Sequence, residues 1–156
     1  MICLLDLNYT LVSNSDVKHF PFSKQIAGEE YREDLLKQLQ KNFKHIFLLT
    51  ARPQKYEAET LQHLWEKLRW KPNDWYFNFG AMPHIAKEHY LINSIFPKYG
   101  NDPDLYFGLE SNPKTRDMYK THGIKSVTYQ VYLRENYGIA TAGELDIQKS
   151  ACRKRV

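Results

Sequence analysis

The chain has 156 residues, 42% of them hydrophobic and 26% charged, which is the length and balance of one soluble domain with a real core. No apolar run approaches the ~20 residues that span a bilayer, and no basic leader precedes the short N-terminal run, so neither a membrane anchor nor a signal peptide is expected and residence is read as intracellular and cytoplasmic. The formal charge of +4 is local: Lys149, Arg153, Lys154 and Arg155 crowd the end, and without them Lys+Arg and Asp+Glu balance at 18 each.

The basic tail, about 149–156, reads as a solvated end, with a grip on nucleic acid as the alternative. The two cysteines are Cys3 and Cys152, and Cys3 reads as a small buried hydrophobe within the first strand.

Short apolar runs alternate with amphipathic stretches along 1–156, predicting repeated β-α units in a single domain. Residues 1–7 read as a strand and 8–24 as a loop. Tyr31, Leu35, Leu39 and Phe43 recur every four positions and mark a helix over roughly 29–42. His45–Thr50 is apolar on both faces, as central parallel strands are. Pro53 opens the next helix, where its missing N–H costs nothing, with Leu61, Leu64, Trp65 and Leu68 on the buried side.

Trp75–Phe79 reads as a third strand. A helix over about 83–96 follows, with Ile85, His89, Ile92 and Phe96 on one side. Leu105–Leu109 is a fourth strand, and Asn112-Pro113 caps and opens a short helix that Gly123 ends. Ser126–Leu133 gives a fifth strand. The expected fold class is α/β, a three-layer α/β/α sandwich around a parallel sheet of about five strands with right-handed crossovers.

In such sheets ligands bind beyond the carboxyl ends of the strands. Asp6, Thr50 and Glu110 each close a strand at that edge, whereas Asp102 and Asp104 precede one and belong to the opposite rim. The six histidines lack zinc spacing.

Four segments, in order, resemble the motifs of the haloacid dehalogenase (HAD) superfamily. Asp6-Leu7-Asn8-Tyr9-Thr10 is similar to the nucleophile motif, usually Asp-x-Asp-x-Thr, with Asn8 in the place of the second Asp. Thr50 matches the hydroxyl residue of the second motif, and Thr50-Ala51-Arg52-Pro53 resembles nucleotidases and polynucleotide 3′-phosphatases. Lys87 is placed like the lysine of the third motif. Glu110-Ser111 stands where two adjacent Asp residues are usual. The intervals between motifs leave no room for a large cap domain.

The resemblance implies a Rossmann-like phosphohydrolase. Asp6 would form an aspartyl-phosphate. Thr50 would donate to a phosphoryl oxygen, Lys87 would neutralise charge on the phosphate and on Asp6, and Ala51 and Arg52 would line the substrate side. Mg²⁺ would sit near Asp6, the Asn8 carbonyl and Glu110, with waters completing the octahedron. Asn112 is expected to cap its helix rather than to bind metal, and Arg52 either binds a second phosphate or a 3′-end or pairs with a helix carboxylate.

Asn8 can neither protonate a leaving group nor activate water. Three outcomes fit: a substrate with a good leaving group, a slowly hydrolysed phosphoenzyme, or a site that binds phosphate without reaction. An open, capless mouth favours a bulky substrate, such as a nucleic-acid end or a protein, or needs a partner to close the site; the expected ligand is a phosphorylated small molecule, a nucleotide or a nucleic-acid end. The alternative function is a catalytically reduced domain that binds a phospho-ligand or a protein.

Overall fold

In the computed structural model, which describes residues 1–137, β1 (Ile2–Leu5) runs through the middle of a five-stranded sheet. One edge of β1 pairs with β2 (His45–Pro53), Leu5 opposite Leu48. Beyond β2 lies β3 (Asp74–Asn78). The other edge of β1 pairs with β4 (Tyr106–Leu109), Leu5 opposite Leu109, and β5 (Lys125–Val127) follows. The order is β3-β2-β1-β4-β5 and every pairing is parallel.

Side chains alternate across a strand, so Cys3, Leu5, Ile46 and Leu48 enter one core while Ile2, Leu4, Phe47 and Leu49 enter the other. After β1 comes a short helix, α1 (Phe22–Ala27), and then α2 (Glu33–Asn42), which covers the first face with Leu35, Leu36 and Leu39. On the same face lie α3 (Glu57–Leu68), through Leu64, and the last helix among the described residues, running from Tyr129 to Tyr137, through Tyr132. The opposite face is covered by α4 (Pro83–Tyr90), a π-helical turn over Leu91–Ile95, α5 (Phe96–Tyr99) and α6 (Pro113–Thr121); the last helix is therefore α7. Three layers result, as the alternating pattern predicts.

Gly108 is what lets α6 approach so closely. A Cβ there would stand 2.9 Å from Ser126 Cβ and 3.1 Å from the Tyr119 ring.

Several expectations fail, each for a physical reason. The loop read over 8–24 ends early, because α1 begins at Phe22 and runs on to Ala27. The fifth strand stops at Val127, and residues Tyr129 onward form α7, because Tyr132 buries itself against Phe43 and Phe107 and overrides a locally β-prone sequence. Trp65 is 47% exposed; α3 turns Thr60, His63 and Leu64 inward, and Trp70 fills the core after Arg69 takes a left-handed φ of 48°. Of the stripe Ile85, His89, Ile92 and Phe96, the first three face outward and Phe96 packs against the core; the buried side along α4 and the π-helical turn after it is Ala86, Lys87, Leu91 and Ile95. A lysine on the inner stripe conceals that face from a hydrophobic reading. Cys3 is buried and unpaired as expected, while Cys152 and the basic tail lie outside the described residues.

Asp74 fastens the start of β3 at the far rim. It accepts from the hydroxyls of Tyr76 and Tyr99, each at 2.7 Å, and from Trp75 N–H at 2.9 Å. Burial pushes its pKa up, but these donors and Lys98 outweigh burial and hold it below the usual carboxylate value. A depressed pKa stabilises the fold above the unfolded value of ~3.9, and that contribution is lost as pH falls through the folded one. Asp74→Asn is expected to cost about 1–3 kcal/mol at neutral pH, a difference that closes in acid. Urea midpoints across that range measure it.

Candidate active site

Past Leu5 the backbone stays extended through Asp6, whose N–H donates to the Leu109 carbonyl at 2.9 Å. The carboxylate therefore emerges between β1 and β4, where the strand order reverses and an α/β sheet opens its crevice. Leu7–Leu11 then forms a wide turn closed by Val12 N–H on the Leu7 carbonyl at 3.0 Å. Within it Asn8 is extended and Tyr9 is left-handed, with φ of 60°. The turn swings Thr10 Oγ1 back to Asp6 Oδ2 at 2.9 Å.

Ser111, just beyond β4, adds its Oγ to the same Oδ2 at 2.7 Å and its N–H at 3.3 Å. Lys87 reaches the other oxygen, Oδ1, at 3.0 Å from the buried side of α4, and also contacts Glu110 Oε1. Asp6, Lys87 and Glu110 are all nearly inaccessible to solvent. Two carboxyl groups thus share one ammonium in a buried pocket. Burial alone would raise the pKa of Asp6, but the Lys87 charge and the converging donors hold it below the normal value. Burial would lower Lys87, and Asp6 and Glu110 raise it instead. Glu110 is pushed up to about 8 by burial, with Asp6 adding to the rise and Lys87 opposing it.

A second cluster stands beside the first. Arg52 is 1% exposed and its guanidinium grips both oxygens of Glu29. The same group donates to Thr60 Oγ1 at 3.0 Å and to Asn8 Oδ1 at 2.8 Å. Thr50, also buried, lies on β2 two positions beyond the register partner of Leu5, and its Oγ1 accepts from Arg52 N–H at 3.1 Å. Ala51 is half-buried between them.

Asp6, Lys87 and Glu110 therefore meet as the motif order suggests, and Asn8 joins through its backbone. Of the two roles expected for Arg52, a carboxylate pairing is present, but its partner is Glu29 in the loop between α1 and α2 and not a helix carboxylate. The helix expected over 29–42 begins only at Glu33, which leaves residue 29 outside it, and nothing in the sequence marks Glu29 as the partner of Arg52. Thr10 and Ser111 also belong to the cluster. Each sits inside a quoted motif, but only folding shows that both hydroxyls converge on one oxygen. Asn112 caps α6, accepting from Lys114 N–H at 3.0 Å, as expected.

Glu29→Ala would strand a buried guanidinium. The expected loss is about 3–5 kcal/mol, read from the urea midpoint, and the orientation of Asn8 should go with it.

Oxygen donors are available for a divalent cation. Ser111 Oγ lies 2.7 Å from Asp6 Oδ2 and 3.3 Å from the Asn8 carbonyl, so three oxygens of different chemistry converge. Glu110, expected at the metal, is tied to Lys87 instead. Among the described residues no group of three or more His, Cys, Asp or Glu side chains could hold a metal. The set fits Mg²⁺, which accepts one or two carboxylates and draws its remaining ligands from phosphate and water.

No family model and no curated protein matches the chain. Among solved structures, a chain in a structure of the Pnkp1/Rnl/Hen1 RNA repair complex superposes with a TM-score of 0.66 at 17% identity, over 81% of this chain and 41% of that one. A second structure of the Pnkp1/Rnl/Hen1 complex gives a TM-score of 0.65 at 18% identity, over 82% of this chain and 44% of the other. This chain thus spans less than half the length of either. What is shared with them is the fold, an α/β core around a five-stranded parallel sheet.

Proposed function

We propose that the chain is a HAD-like phosphohydrolase acting on the phosphate of a nucleotide or a nucleic-acid end, through an aspartyl-phosphate on Asp6. One observation carries this reading: a buried Asp6 whose Oδ2 takes Thr10 and Ser111 while Oδ1 faces Lys87 at 3.0 Å. Oδ2 carries the Thr10 and Ser111 contacts, and Oδ1, on the Lys87 side, is the oxygen that attacks phosphorus. It attacks, the P–O bond to the leaving group breaks, and the leaving oxygen departs with that electron pair. Lys87 balances the charge on the phosphoryl oxygens and on Asp6, and Thr50 offers its hydroxyl proton to one of them.

Mg²⁺, held by Asp6, the Asn8 carbonyl and Ser111, would supply further neutralisation of phosphoryl charge. Water then cleaves the acyl phosphate and regenerates the carboxylate. Similarity in fold to chains of an RNA repair complex supports a nucleic-acid-linked substrate and work alongside protein partners. No described helix is long and apolar enough to cross a membrane.

The leaving group receives no proton from Asn8, so aryl phosphates and anhydrides should turn over faster than the alkyl esters of nucleotides and strand ends. A second reading, phosphate capture without turnover, draws on that same carboxamide, which Arg52 holds by its oxygen. A phosphate-release screen with Mg²⁺ over nucleotides, 3′- and 5′-phosphorylated oligonucleotides and aryl phosphates separates the two. Silence across the whole panel would leave only the second.

A further inference from the structure

Beside Asp6 lies a cleft of about 430 Å³ that the phosphoryl chemistry leaves unassigned. It sits over the carboxyl ends of β1, β4 and β5, walled by the Leu7–Leu11 turn on one side and by Thr128, Tyr129 and Gln130 on the other. Its size is that of a small-molecule site. Ser111 belongs to this wall and its Oγ is also 2.7 Å from Asp6 Oδ2, and Thr10 belongs to both as well, so the cleft adjoins the Asp6 cluster and offers room for the ester substituent of a phosphate bound there.

The wall is built rather than incidental. Arg32 donates to the carbonyls of Thr10 at 2.7 Å and Val12 at 2.8 Å, and its guanidinium lies 3.8 Å from the centre of the Tyr129 ring. One cation thus staples the turn to α7 across the cleft. At the rim stands Tyr9, with a φ of 60° that bulky L residues avoid, its N–H held by Ser15 Oγ at 2.8 Å. Its side chain is 51% exposed, so no core packing accounts for an aromatic ring there. Backbone strain of this kind gathers at ligand sites. Lys18 Nζ lies 3.0 Å from the Tyr9 hydroxyl and 5.1 Å from the ring centre, placing a cation at the outer edge. Asp16, Thr128 and Gln130 supply an acceptor, a hydroxyl and a carboxamide around the remaining wall.

We propose that this cleft is the subsite for the nucleoside that carries the phosphate, its base stacked on Tyr9 and its sugar hydroxyls and base edge met by Asp16, Thr128 and Gln130. The proposal rests on the phosphohydrolase reading and extends it from the phosphate to the group beyond. A flat aromatic face with short polar groups around it suits a base and a sugar. Lys18 beside that face suits the next phosphodiester of a strand, and base–aromatic stacking tolerates any base.

The test is equilibrium binding by calorimetry with the full chain. Its probes are inorganic phosphate, adenosine, adenosine 3′- and 5′-monophosphate, a 3′-phosphorylated oligonucleotide and a phosphotyrosine peptide. Tyr9→Gly removes the ring and suits the left-handed backbone, while Tyr9→Phe keeps the stack. The nucleotides should bind at least ~10-fold tighter than phosphate, within the ~5–150-fold that one stacked base contributes. That excess should vanish in Tyr9→Gly and persist in Tyr9→Phe. An oligonucleotide preference that Lys18→Ala removes identifies a strand end, and equal affinities identify a free nucleotide; both support the subsite.

Equal affinity for phosphate and nucleotide, an excess that survives Tyr9→Gly, or preference for the phosphopeptide would overturn it. Binding of adenosine without phosphate release from any substrate sinks the phosphohydrolase reading and spares the cleft. Phosphate release with no nucleoside preference does the reverse.

Discussion

Asp6→Asn should abolish phosphate release, lowering turnover on an aryl phosphate by on the order of 10⁴–10⁶, the scale on which a lost nucleophile is felt. The carboxamide is isosteric but a far weaker nucleophile. It also weakens the Lys87 contact by removing the charge opposite it at 3.0 Å. Loss of that charge should bring the raised Glu110 carboxyl down, since Asp6 is one of the causes of its elevation. Glu110 then serves as the counter-charge for Lys87, and the fold should survive. Two measurements check the claim: colorimetric phosphate release, and intact mass of wild type after substrate, where a hydroxylamine-labile phosphoryl adduct on Asp6 should accumulate because Asn8 cannot activate water. Release that is indifferent to the substitution would remove Asp6 from the chemistry and overturn the aspartyl-phosphate reading.

The second large effect runs upward. Asn8→Asp should raise turnover on alkyl phosphate esters, where an unprotonated alkoxide leaves poorly, by about 10²-fold. That is the lower end of the ~10²–10⁴ typical of general acid–base catalysis. The reason for the lower end is local. Asn8 Oδ1 already lies 2.8 Å from Arg52 Nη2, so a carboxylate in its place would face a guanidinium. A cation at that distance depresses a carboxyl pKa, and a depressed acid donates poorly near neutral pH. The gain should therefore grow as pH falls, and aryl phosphates should show little of it. Rates for an alkyl and an aryl ester across that range read both trends. A uniform change for the two esters would show that proton delivery is not what the carboxamide lacks.

Which parts of this site were legible beforehand follows from the range of the forces involved. Asp6 at a strand end, Glu110 at another, and the cap at Asn112 are consequences of neighbours in sequence, and so is the lysine of α4 as a member of a motif. Lys87 as a buried residue was not legible, because hydrophobic periodicity cannot announce a cation on an inner face. The same blindness exchanged the two sides of α4 and placed Trp65 inside in preference to Trp70. The fifth strand, read over Ser126–Leu133, ends at Val127 because local β preference lost to the packing of one tyrosine from α7.

The order of elements, the parallel α/β class and the strand edge that carries Asp6 follow from alternation and periodicity, which depend on residues a few positions apart. The clamp from Glu29 through Arg52 to Asn8, the meeting of Thr10 and Ser111 on one carboxylate oxygen, and the cleft stapled by Arg32 join residues up to 105 positions apart. Those contacts exist only once the sheet has fixed where each loop ends. Burial then sets their electrostatics, because charges removed from water must find one another.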